Sequence, residues 1–174
     1  IGVLLLVSSL TLAPTLQSDP APETAAVEQA LTGVTAASHT AIRDGVARAS
    51  DRAGAEPVIT PANTSVGRAL NESQPFRDAL RLRIYRQVRS RLGRVSAQSG
   101  DVTATASLPS IESLGGYTEA IDRVRIQRAG ANDTALRATI ENVTLTVTRT
   151  DQVVTYRMIT PTVVVPTPVL YSHN

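Results

Sequence analysis

The sequence predicts an α+β protein: an apolar N-terminal stem helix, two further helices, then a C-terminal antiparallel β-sheet. Three observations carry that expectation. Residues 1–18 hold no charged side chain, and the first is Asp19. Between Glu23 and Val95 apolar residues recur at helical spacing. After Gly100 the spacing changes to two, the period of a strand with one buried face. The expected organisation is an apolar stem at 1–18 (membrane anchor or filament core), a helical region at 19–95 and an antiparallel β region at 96–174.

The stem opens Ile1-Gly2-Val3-Leu4-Leu5-Leu6-Val7 and continues through Leu10 and Leu12. As a helix it would be about 27 Å long, against about 30 Å for a bilayer core. It therefore barely spans, unless residues precede Ile1. The chain does not begin with Met, which points to processing or truncation. An anchor or filament-core helix is the leading expectation. A retained signal remnant and a β-strand donated to a neighbouring subunit are the alternatives, because a short apolar run with Ile1, Val3 and Val7 fits either period.

Pro14, Pro20 and Pro22 form a stiff joint, with Asp19 as a helix cap before Pro20. A helix is expected from about Glu23 to Ala53, with Val27, Leu31, Val34, Ala41, Val46 and Ala49 on its apolar face. Gly33 and Gly45 would let another helix approach closely. Residues 54–75 read as a loop rich in Gly and Pro. The second helix is expected from Pro75 to Val95, with a ridge of Phe76, Leu80, Ile84, Val88 and Leu92. That ridge should seat on a shallow sheet face of Val102, Ala104 and Ala106. Seven arginines lie on the same helix beside one acid, Asp78. They would form a solvated face, a membrane or subunit contact, or a nucleic-acid surface, several of them facing acids.

Val102, Ala104, Ala106 and Leu108 alternate with polar residues. A short helix is expected at Tyr117–Arg123, and strands at Val124–Gln127, Leu136–Thr148 and Gln152–Ile159. The inward phase switches between Ile140 and Val143, which predicts a bulge. Thr150-Asp151 marks a hairpin tip, and the Val/Thr/Pro tail from Pro161 to Pro168 an extended edge strand or a strap.

Composition excludes more than it assigns. With no Cys there is no disulfide framework or thiolate metal site. His39 and His173 have no ligand partners at metal spacing, and no nucleophile or phosphate-binding motif occurs. The expectation is a non-enzyme without cofactor or metal. All 17 basic residues are Arg, and the net charge is +2. That bias is too small to demand an anionic partner, and no nucleic acid is expected. Arg without Lys, among abundant Ala, Val and Thr, fits a GC-rich genome.

Every Asn except the last residue, Asn174, lies in an Asn-x-Ser/Thr acceptor triplet: Asn63, Asn71, Asn132 and Asn142. Glycosylation is expected, better at Asn63, Asn71 and Asn132, in loops, than at Asn142, in a strand pattern.

The segments Phe76 to Tyr85, Arg128 to Asn132 and Thr162 to Val165 resemble an uncharacterised family of haloarchaeal surface proteins. Those proteins have an apolar N-terminal segment, and their genes lie near archaeal pilus-assembly components. The stem is also similar to the apolar start of archaeal type IV-like pilins, with Leu5 where the bacterial pattern has a glutamate. Members of the family are longer, so Asn174 is expected to be a truncation or processing point.

The expected function is a structural subunit of an extracellular archaeal filament. Its stems would pack in the core through Ile1, Val3, Leu4, Leu5, Leu6, Val7, Leu10 and Leu12, with a glycosylated body outside. Its partners would be copies of itself and the pilus-assembly machinery or membrane. It would sit at the cell surface, membrane-anchored before assembly. The competing expectation is a singly anchored adhesin or binding domain that never polymerises.

Overall fold

A computed structural model describes residues 22–56 and 64–167. The expected stem, the Asp19-Pro20 cap and Asn63 lie outside the described residues. Among those described, no helix is long and apolar enough to cross a membrane.

Helix α1, Pro22–Ala55, runs 34 residues, about 50 Å. Its buried stripe is Ala30, Leu31, Val34, Ser38, Ile42, Val46, Ala49, Ser50 and Ala53, in steps of one, three and four that keep one face inward. The stripe is narrow and small, so neighbours approach closely. A Cβ at Gly45 would come within 3.0–3.1 Å of Val88 side-chain and backbone atoms, and one at Gly33 within 3.0 Å of Ala97 Cβ. Gly45 thus admits a helix, as expected, whereas Gly33 admits a strand.

Ser38 and Ser50 are fully buried, and their hydroxyls lack partners. A buried unpaired hydroxyl costs about 1–3 kcal/mol. Ser38→Ala and Ser50→Ala should each raise the melting temperature by a few degrees in calorimetry. A fall would mean that the hydroxyls are bonded in solution.

The stretch expected to be loop contains a short helix, α2, Ser65–Ala69, capped where Thr64 Oγ1 accepts from the Gly67 N–H at 2.9 Å. Five residues are too few to show a period. Helix α3, Pro75–Leu92, starts with Pro at its first turn. Leu80, Ile84, Val88 and Leu92 of the expected ridge are buried, as are Leu82 and Tyr85, while Phe76 is half-buried. The expected seat needs correction. α3 packs chiefly against α1, then α4 and β3, with limited contact to β2. The Val102/Ala104/Ala106 face of β2 is covered chiefly by α1, whose small residues fit that shallow surface.

Strand β1, Ser96–Ser99, was not expected, because Ser-Ala-Gln-Ser carries no apolar alternation. It forms a hairpin with β2, Val102–Ser107, in which Ser99 pairs with Val102 across Gly100-Asp101. Gly100 supplies the positive φ of 60° that this two-residue turn needs. Helix α4, Leu114–Asp122, begins three residues before the expected start, with Ser113 as its cap.

Four strands follow: β3 (Val124–Ala129), β4 (Ala135–Ile140), β5 (Val143–Arg149) and β6 (Gln152–Ile159). The last strand is β7, Thr162–Pro166.

There are two sheets rather than the one expected. One has order β1-β2-β5-β6, the other β3-β4-β7. The predicted long strand with a bulge at Ile140/Val143 is a second correction. β4 belongs to one sheet and β5 to the other, and the chain crosses between them at Glu141-Asn142. Asn142 has φ 58°, a left-handed conformation that Asn tolerates. The observed register shift lies at Val147/Thr148 against β6. The hairpin tip at Thr150-Asp151 is as expected, with φ 47° and 63°. β7 is an edge strand on β4, also as expected. One buried cluster joins residues of α1, α3 and α4 to both sheets.

Candidate interaction surface

The arginines of α3 are mostly occupied in holding the fold. Arg77 Nη2 donates to Ile126 O at 3.1 Å, and Arg81 Nε donates to Val124 O. Arg81 also pairs with Asp78 at 3.1 Å. Asp78 is buried, and its Oδ2 accepts the Asn71 N–H at 3.1 Å. Arg86 lies 5.4 Å from the centre of the Tyr117 ring. Arg91 reaches Asp44 of α1 at 3.5 Å. Of the expected acid partners, Asp78 and Asp44 are found, while Arg77 and Arg81 mainly cap carbonyls. Tyr85, beside them, donates to Pro109 O at 2.8 Å. Burial raises its phenol above the ordinary 10.0, with Arg123 and Arg89 pulling the other way.

The carbonyls capped by Arg77 and Arg81 belong to β3, an edge of the smaller sheet. An edge strand left bare invites pairing with another chain, and three of the four edges here are closed or curtailed. β3 carries the two guanidiniums. β1 has four residues and lies against α1, with Ser99 Oγ 2.9 Å from Gln29 Oε1. β7 spans five residues, follows Pro161 and ends at Pro166, which has no N–H to offer.

β6 is the fourth edge. It has eight residues, no Pro, and Arg157 as its one charge, which pairs with Glu28 of α1 at 3.4 Å. Val153, Tyr156 and Met158 are 64%, 68% and 62% exposed. In register they stand opposite Thr148, Thr146 and Thr144 of β5. Those threonines pair with Thr103, Thr105 and Ser107 of β2. The outer face of the larger sheet is therefore a hydroxyl surface bordered by an apolar edge. Sequence reasoning located β6 but not its exposure. The sequence Gln-Val-Val-Thr-Tyr-Arg-Met-Ile carries apolar residues on both faces, so its alternation does not show which side meets solvent.

Three acceptor asparagines are described, and all are exposed. Asn71 accepts the Ser73 N–H through Oδ1 at 2.8 Å. Asn132 sits in a turn with φ 60°. Asn142, expected in a strand, lies instead in the exposed link between the sheets. It is as open as the other two.

Among the described residues no group of His, Asp and Glu is placed to hold a metal ion. Fold and surface define an α+β protein with one long helix and an exposed sheet edge. Over residues 1–174 the chain belongs to a family of unknown function, DUF7286. No curated protein and no solved structure matches it.

Proposed function

We propose that this chain is a structural subunit of an extracellular, pilin-like filament of archaeal origin, with apolar stems packed in the core and the body outside. The observation that carries the reading is the charge-free run 1–18, which precedes the long helix α1 in sequence. α1 begins at Pro22, directly after the apolar run, and packs against α3, β1, β2, β5 and β7. α1 is thus the element of the body that follows the apolar run in sequence, and it is tied to both sheets. The exposed acceptor asparagines and the resemblance to surface proteins agree with an outward-facing body. The hydroxyl face and bare edge of the larger sheet favour the second reading, a singly anchored binding domain. Electron microscopy of native material separates the two, since regular filaments require the first.

The stem makes a direct prediction. Leu5→Arg or Leu6→Arg should abolish assembly or anchoring while circular dichroism of the body stays unchanged. An unpaired guanidinium in an apolar surrounding costs at least several kcal/mol. Filaments or membrane attachment that survive the change would remove the stem from assembly. Glycosylation predicts that native material exceeds the bare chain in intact mass, with the excess on peptides holding Asn63, Asn71, Asn132 or, since it lies in an exposed link, Asn142. A mass equal to the bare chain would refute it.

A further inference from the structure

We infer that β6 pairs with the β6 of a second copy, antiparallel about a twofold axis at Tyr156, joining two four-stranded sheets into one of eight strands. The inference does not depend on stem assembly. It rests on the contrast among the four edges: three are capped, short or proline-bounded, and the longest is apolar and left bare by the described residues. Such an edge supplies a row of backbone donors and acceptors and gains by burying its side chains.

A second copy is the occupant because the strand complements itself. With Tyr156 opposite its own copy, Thr155 faces Arg157, and the Val153-Val154 step, where β6 shifts register against β5, lies beside Met158 and Ile159. Apolar residues meet apolar residues, two tyrosines meet at the centre, and no like charges oppose. Moving the axis to Arg157 would set two guanidiniums against each other. Moving it to Thr155 would set the Val153-Val154 step against Arg157. Twofold symmetry of this kind makes each contact twice and closes the assembly at two copies.

The chain has no cysteine, so single cysteines report position cleanly. In the full chain, Tyr156→Cys places two thiols on the axis, in facing positions whose Cβ atoms stand about 4.5–5.5 Å apart, a shift of about 1 Å from the separation that a disulfide takes. Met158→Cys sets its two thiols four residues apart along the strand, about 13 Å. Thr105→Cys, two strands inward on the same face, serves as the exposed control. Under mild oxidation Tyr156→Cys should form disulfide dimer at least tenfold faster than either. Adding Met158→Lys, exposed in the single copy, should slow it at least tenfold without changing the circular dichroism.

Equal rates at positions 156, 158 and 105 would mean association through the stem or random collision, and would overturn the proposal. A Tyr156→Cys thiol that neither dimerises nor reacts with a maleimide would also overturn it, showing the edge covered by the chain's own N-terminal residues. Absence of filaments with selective Tyr156→Cys dimers would sink only the filament reading.

Discussion

Gly45→Val should lower stability by about 3 kcal/mol, the upper range for forcing bulk into a packed core, and the melting temperature by roughly 10 °C. A Cβ there meets Val88 N and Cα at 3.1 Å as well as Val88 Cγ2 at 3.0 Å. A flexible side-chain tip could swing away, but backbone cannot. α1 and α3 would have to separate along their length, loosening Val46, Ala49, Ile84 and Val88 together. Gly93→Ala is the control. Gly93 has φ −61°, and its nearest atom to an added Cβ is 3.6 Å away. That change should be neutral or slightly stabilising. Equal losses at both sites would mean that glycine serves something other than helix approach at position 45.

Asp78→Ala should cost about 2–4 kcal/mol, somewhat below the range for breaking a buried ion pair because Arg81 keeps some solvent. Its carboxylate joins three pieces of structure: the Asn71 N–H, the first turn of α3, and Arg81, which in turn holds the β3 edge. Removing it leaves the Arg81 charge half-buried without its partner and frees the turn before α3. Arg89→Gln, on the exposed side of the same helix, should stay within about 0.5 kcal/mol. Chemical denaturation of the two variants checks the order. The reverse order would mean that surface charge, and not the Asp78 junction, secures the helix.

The sequence showed the helical half well and the sheets only in part, for identifiable reasons. α1 and α3 announce themselves through apolar spacing, and α3 also through Pro75 at its start. β6 and the Thr150-Asp151 turn are equally plain. The division into two sheets was hidden, because Ile140 and Val143 point inward whether the chain bulges within one sheet or steps between two. β1 lacked any apolar signal. Asp78 looked like a lone acid among seven arginines, and its burial depends on Asn71 and Arg81 folding over it. The interaction edge was concealed by its own composition, since an apolar strand normally signals a covered one. The stem and Asn63 lie outside the described residues, so those expectations rest on sequence.

The last strand has a consequence for the order of events in making this protein. β7 is the final described element, yet it pairs with β4 and lies against α1, the first. Val163 and Val165 are buried in that seam. Ribosomes add residues from the N-terminus, so α1 must wait for more than a hundred further residues before its last neighbour exists. Contacts so distant along the chain form slowly. The helical half can therefore pair early, whereas the seam between α1 and the smaller sheet closes only after residues 162–166 have been made.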